Sequence, residues 1–532
     1  MGTLNKIADR KWEVFIIGGG IYGAAVARDA ALRGLKTALV ERGDYAGETS
    51  SRSTKLVHGG IRYLEQLQIN LVHECLKERS ILLTIAPHLV RPLPFLLPVF
   101  KNDRFPLPII KFGTWLYGQL ASKDTLKAQE TYSRTELKNK YPFLADSSVT
   151  GGIRYFDAQM DDIRVCLETI LSAQLAGAET ASHVEVTRIS MRDDGKYEVY
   201  LQDRLSKTNG SLRAASIVNA TGPWADKTLS LLLPQHKPML KPSKGIHLIL
   251  KQKISDDAIV LSSSDKRVIF MIPWKNGSLV GTTDTPLAES LDSVHATAEE
   301  VDFLLSEIKK ITRSLNIRKE DIITTFAGVR PLAALPGRNT SKVSRTHLIH
   351  ENPKHFFSIV GGKYTTHRLI AEQMCDLLVQ KLEKTADRCK TAELPLIGSF
   401  DLTWRGPGTL GRSSLAWIPK PTIENLARIY GERVNGVLAV ANRSSELGKP
   451  FCTQHSMIGA QIIFAIEQEL AQSLTDICVG RLRLDQTICR GLDCVHKAAD
   501  IVSSRLSWSH ERKESEVTAY LAWVKRNTQF LR

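Results

Sequence analysis

The stretch EVFIIGGGIYGAAVARDAALRGLKTALVE, residues 13–41, constrains the fold more than any other part of the chain. VFII is short, β-branched and aromatic, which suits a strand buried on both faces of a parallel sheet. Gly18, Gly20 and Gly23 then form G-x-G-x-x-G, an Ala-rich helical run closes at Gly34, and KTALVE makes a second strand ending at Glu41. Gly-rich turns are common, but this one follows a strand, opens a helix and has an acidic residue about 20 positions on. The pattern predicts a βαβ unit whose glycines let backbone approach a pyrophosphate at a helix N-terminus. Glu41 suits ribose hydroxyls, and its charge repels a 2′-phosphate, which disfavours NADP.

One such unit does not separate FAD from NAD. VNATGPWAD, residues 218–226, reads as a further buried strand ending in a small-residue turn, Ala220-Thr221-Gly222. FFSIVGGKYTTHRLIAEQM, residues 356–374, reads as a strand, the Gly361-Gly362 turn and a helix. That helix start and Lys363 are placed to hold negative charge, as a reduced flavin carries. Gly-rich loops near 18, 59, 221 and 361 suit a long, extended cofactor, so FAD fits better than NAD.

Composition bounds the partners. The chain has 532 residues, 43% hydrophobic and 24% charged, enough for roughly two to four globular domains. The net charge of +15 admits nucleic acid, anionic lipid or an anionic substrate. No zinc-finger spacing, RNP-like strand or basic block supports nucleic acid, so phosphate ligands and a lipid surface remain. No apolar leader and no run of about 18 uncharged apolar residues is present, so neither secretion nor a transmembrane helix is expected. The eight Cys form no C-x-x-C pair and read as reduced thiols of a cytosolic protein, neither disulfides nor zinc ligands, so no metal site is expected.

Along the chain, 66–90 reads as an amphipathic helix, and 151–180 as a Gly-Gly loop passing into a helix. Residues 92–120 are apolar and Pro-rich, with Lys101, Arg104 and Lys111 interleaved; they suit either core or an interfacial patch. From 240 to 362 short strands alternate with polar turns. Residues 398–414 read as a linker, and 415–532 as a helical domain.

Between the second strand and the first long helix lies TSSRSTKLVHGGIRYLE, residues 49–65, too polar for a core element. Thr49, Ser50 and Ser53 offer hydroxyls to a cofactor's phosphates and ribityl chain. His58, Gly59 and Gly60 would lie close to its ring, and Arg62 would point to a substrate. Arg330 in TFAGVRPL and Arg345 in VSRTHLI also sit among apolar or Gly residues, where unpaired charge is costly. Together the three suggest a convergent anion site. His247, inside the strand-like KPSKGIHLIL, is a candidate base for a hydroxyl proton, with His58 as competitor.

FIIGGGIYGA, KLVHGGIRYLE, VNATGPWAD, VGTTDTP, FAGVRPL and GGKYTTHRLIAE occur in an order that resembles the FAD-dependent glycerol-3-phosphate dehydrogenases, over about residues 12–375 and on into the tail. The resemblance implies a D-amino-acid-oxidase-like architecture: an α/β FAD-binding Rossmann-like domain interleaved with an α+β substrate domain, then an all-α C-terminal domain. The FAD-binding segments would be about 12–90, 150–240 and 350–390, and the substrate segments about 91–149 and 241–349. It implies non-covalent FAD, oxidation of sn-glycerol 3-phosphate, electrons passed to a quinone, and peripheral attachment to the inner face of the cytoplasmic membrane. A homodimer stays open, as do an O₂-using oxidase and a flavoenzyme for an amine or hydroxy acid. By motif, Arg62, Arg330, Arg345 and Thr366 resemble substrate contacts, His247 the base, and Lys363 a group beside the flavin. Tyr22 and Ile246 depart from the family's usual residues.

Overall fold

The computed structural model describes residues 3–121, 126–144, 148–263, 267–311, 313–334, 347–399 and 418–531. Two sheets organise the first four hundred residues. In the first, strand Lys11–Ile17 lies at the centre, parallel to Thr37–Val40 on one side and to Asn209–Asn219 on the other. Glu179–Ala181 and Phe356–Gly361 extend the parallel set outward. An antiparallel meander, Val184–Met191 and Tyr197–Asp203, pairs with the start of Asn209–Asn219, and His347–Glu351 adds an antiparallel edge beside Phe356–Gly361, so the sheet has eight strands. Val14, Phe15 and Ile16 are fully buried, because helices Ile21–Leu32, Asp162–Leu175 and His367–Lys381 cover one face and the meander the other.

The second sheet has ten strands. Its antiparallel core includes Ser243–Leu250, Gly277–Gly281, Val268–Trp274 and Ile322–Arg330. Residues 151–160, expected as a loop entering a helix, are instead part of strand Val149–Met160. Gly151 and Gly152 serve close packing there: a Cβ on Gly151 would lie 2.7 Å from the Tyr132 carbonyl. The Pro-rich segment splits in two. Val90–Phe100 is a strand paired along its length with Val149–Met160. Its prolines, 92, 94 and 98, fall on alternate residues, leaving the other N–H groups to make the ladder. Leu107–Leu120 is a helix that exposes Ile109, Phe112 and Trp115.

After residue 418 the chain is helical, with its own apolar clusters. Buried charge ties this region to the rest. Arg164 makes two bonds of 2.9 and 2.6 Å to Glu469, and Arg481 two of 2.6 and 2.9 Å to Asp44. His183 meets Asp476 at 2.9 Å. Arg483 reaches Asp161 at 2.6 Å and Asp162 at 3.2 Å, at the start of helix Asp162–Leu175. Most of the linker expected at 398–414 lies outside the described residues.

Candidate active site

The two sheets meet over a cavity of about 370 Å³. One end is the Gly-rich turn. Gly18 has φ +110°, and a Cβ there would sit 2.7 Å from the Ala220 carbonyl. Gly18, Gly20, Ala220, Thr221 and Gly222 line the cavity, so the turns after the first and the Asn209–Asn219 strands form one cradle of exposed backbone. Gly23 does not line it; its Cβ would fall 1.9 Å from the Gly18 carbonyl, so this glycine is required by helix–strand packing. The Glu41 carboxylate accepts from the N–H groups of Gly19 at 2.7 Å and Gly43 at 2.8 Å. Burial pushes its carboxyl above the ordinary value, partly offset by those N–H groups. Tyr22, unusual in the fingerprint, donates to the Gly361 carbonyl at 3.0 Å and clamps the cradle to the last strand of the parallel set.

The polar segment after Glu41 forms the cavity floor. Thr49, Ser50, Ser53 and His58 all line it. Ser50 Oγ accepts from Ile21 N–H at 2.9 Å, capping the first helix; Thr49 donates to the Val329 carbonyl and Ser53 to Asp162. Gly59 and Gly60 lie behind the wall. A Cβ on Gly59 would strike Tyr117 and Leu76, and Gly60 takes φ +77° to turn the chain. Arg62 is exposed and outside the cavity lining, whereas its neighbour Tyr63 lines it. Gly361, Gly362 and Lys363 complete the far wall. Lys363 Nζ lies 3.7 Å from the Tyr63 ring centre and 3.3 Å from Cys75 Sγ. Thr366 is buried behind that turn, and Thr365 takes its place in the wall. Arg345 lies outside the described residues.

The second sheet brings His247 and Arg330 to the cavity. His247 is 3% exposed and stands opposite Phe326 on one neighbouring strand and Gly281 on the other. It stacks on Phe326 at 4.9 Å, and a Cβ on Gly281 would sit 2.2 Å from its ring, so that glycine makes room for the imidazole. His247 Nε2 shares a 3.0 Å hydrogen bond with Thr54, while buried Nδ1 has no partner. Burial first, then Arg330 and Lys55, hold the imidazole well below its ordinary pKa, so the ring is neutral and can accept a proton. Arg330 lies across Gly245, whose Cβ would meet the guanidinium at 2.3 Å. It donates to Thr282 Oγ1 and the Thr283 carbonyl, both at 2.9 Å, and pairs with Asp284 at 3.2 Å.

Sequence reasoning missed Arg52, Thr54 and Lys55. Arg52 and Thr54 line the cavity. Lys55 is fully buried, bound to Asp162 at 2.6 and 2.7 Å, with Nζ 5.0 Å from the Phe326 ring centre. Burial, partly offset by Asp162, lowers its pKa to about 8. The signal available was the acidic pair Asp161-Asp162 at a helix start; the adjacent cation, Arg164, pairs with Glu168 and Glu469 instead.

Residues 13–377 match the family model described as FAD dependent oxidoreductase, and 389–513 match the C-terminal domain of alpha-glycerophosphate oxidase. A glycerol-3-phosphate dehydrogenase of Synechocystis sp. is 32% identical over 546 residues, covering 99% of both chains. The chain belongs to the FAD-dependent glycerol-3-phosphate dehydrogenase family. A mitochondrial member from Mesocricetus auratus is 32% identical over 95% of this chain and 72% of its own. The crystal structure of the Bacillus halodurans member, complexed with FAD, superposes with TM-score 0.76 at 27% identity, covering 100% of this chain and 98% of that one. The glycine cradle, the Glu41 carboxylate and the hydroxyls of 49–53 fit a dinucleotide of this kind, because bare backbone and hydrogen-bonding side chains line the same cavity.

Proposed function

We propose that this chain oxidises sn-glycerol 3-phosphate at C2 to dihydroxyacetone phosphate and passes the electrons to a quinone. The observation that carries the reading is the pairing, in one cavity, of a neutral buried imidazole with a guanidinium on the adjacent strand, opposite the glycine cradle. Bound FAD supplies the two-electron acceptor for the hydrogen on C2. His247 takes the hydroxyl proton at Nε2 through Thr54, whose hydroxyl gives its own hydrogen to Nε2 as it accepts the one from substrate. Thr54 holds that edge of the ring, and the Phe326 stack fixes its plane. Arg330 holds the phosphate, with its fork kept in place by Thr282, Thr283 and Asp284. Arg62, one residue from the wall at Tyr63, is a further candidate contact to the same phosphate, and the family motif assigns Arg345 the same role. Lys363 and the helix start after it favour the negative charge that builds up at the cofactor.

The surface supports a quinone acceptor at a membrane. Among the described residues no helix is long and apolar enough to cross a membrane. Helix Leu107–Leu120 instead exposes Ile109, Phe112 and Trp115 at three-residue spacing, with Lys101, Arg104 and Lys111 exposed nearby. This is the pattern of a segment lying in an anionic lipid surface, here the inner face of the cytoplasmic membrane. Turnover of glycerol 3-phosphate with a soluble quinone analogue under nitrogen tests the reading. Rapid reduction of the quinone, with little peroxide in air, is the result expected. Stoichiometric peroxide in air and no quinone reduction would replace the dehydrogenase by an oxidase.

A further inference from the structure

The cysteines that look scattered in the sequence are not scattered in space. Cys452, His455, Cys489 and Cys494 bring one donor atom each to within 4.8 Å of all the others. Cys452 and His455 sit in a tight loop closed by the Pro450–Ile458 bridge and by Phe451 N–H donating to the Met457 carbonyl at 3.2 Å. Cys489 precedes a turn at Arg490-Gly491, both with positive φ, and Cys494 is the N-cap of helix Val495–Leu506. Two separate loops therefore present two donors apiece.

Two of the separations match the edges of a zinc tetrahedron. Zn–S bonds of about 2.3 Å and Zn–N bonds of about 2.0–2.1 Å at tetrahedral angles give edges of about 3.8 Å between sulfurs and about 3.6 Å between sulfur and nitrogen. Cys452 Sγ lies 3.8 Å from Cys489 Sγ, and Cys494 Sγ lies 3.6 Å from His455 Nε2. Three thiols and an imidazole gathered this closely fit a single ion, whereas a cluster of several irons would hold its thiolates further apart. The surroundings also suit thiolates. Gln454 N–H donates to Cys452 Sγ at 3.4 Å, the Thr487 hydroxyl contacts Cys489 Sγ at 3.4 Å, and the helix N-terminus faces Cys494. Lys275 stands near His455, offering a positive charge against the single net negative charge of Zn²⁺ with three thiolates and an imidazole. Metal on Nε2 places the ring proton on Nδ1, so the Met457 N–H, now 3.3 Å from Nδ1, turns away on binding.

We infer that Cys452, His455, Cys489 and Cys494 form a closed Cys₃His structural zinc site in the C-terminal domain. It pins the 450–458 loop to the segment that carries Arg481 and Arg483, the two arginines that reach Asp44 and Asp161–Asp162 in the cofactor domain. The full chain, purified with FAD and passed over a chelating resin, is assayed for zinc by mass spectrometry. About one zinc per chain is expected, falling to near none in Cys494→Ser and in Cys489→Ser. Zinc retained by both variants, or a Cys452–Cys489 disulfide in the wild type, would overturn the assignment. Should either variant fail to fold, exchange of Co²⁺ into the wild-type chain decides. Sulfur-to-cobalt charge transfer with the intense bands of tetrahedral cobalt supports the site, and their absence, with no zinc bound, rejects it.

Discussion

At the scale of single residues, the site depends on what is left out beside each functional side chain. His247 needs the missing Cβ of Gly281, and Arg330 needs that of Gly245. His247→Ala is predicted to lower kcat by about 10²–10⁴-fold while FAD content is unchanged, as measured by turnover and flavin absorbance. A buried imidazole beside Arg330 and Lys55 titrates below its ordinary value of 6.5. It is therefore still neutral, and still a base, at and somewhat below that pH. kcat/KM per dianion of substrate is predicted to hold through pH 6.5 and to fall only at lower pH; an acidic limb above 6.5 would remove His247 as base. Arg330→Ala is predicted to raise KM for glycerol 3-phosphate about 10–100-fold, the worth of a lost charge-assisted hydrogen bond. Arg62→Ala acts in the same direction, and an unchanged KM would leave Arg62 as the exposed side chain it is without substrate.

Among elements, the periodic ones were legible and the exceptional ones were not. The βαβ unit at 11–40 follows from an apolar strand, three glycines and an Ala-rich helix, all pointing to one local answer. The strand Val90–Phe100 was hidden because three prolines argue against a strand, unless, as here, they fall on alternate residues. The cavity floor at 49–58 could be suspected from its polarity. The partners that organise it could not, since Lys55 meets Asp162 and Thr54 meets His247 across more than a hundred residues of sequence. The Cys452-x-x-His455 spacing was visible, but its completion by Cys489 and Cys494 depends on the fold of the tail. Helix Leu107–Leu120 carries its own prediction. Phe112→Glu with Trp115→Glu is expected to abolish co-sedimentation with anionic lipid vesicles while flavin reduction by substrate is unchanged. Vesicle binding equal to wild type would remove this helix from the membrane contact.

Over the whole molecule, the helical tail is locked to the cofactor domain by buried ion pairs, and one of them leads to the site. Arg483 binds Asp162, Asp162 binds Lys55, and Lys55 lies against the Phe326 ring on which His247 stacks. Burial alone would raise the Glu469 and Asp476 carboxyls, but Arg164 and Arg433 around the first, and His183 and Arg481 around the second, bring both to about 2. Folded values below the ordinary 4.5 and 3.8 mean that these pairs stabilise fully above those values and lose that contribution as pH falls toward 2. Calorimetry from pH 5 to 2 is predicted to show the tail detaching or melting across that window, and a Tm independent of pH there would contradict the locking role.

The central claim is that one cavity brings FAD, a neutral base and a phosphate-binding arginine to the same alcohol. Its most direct test is the absorption spectrum of the FAD-loaded chain mixed with sn-glycerol 3-phosphate in the absence of oxygen. Bleaching of the flavin band, with one dihydroxyacetone phosphate formed per flavin reduced, is the result predicted; a flavin that stays oxidised would contradict it.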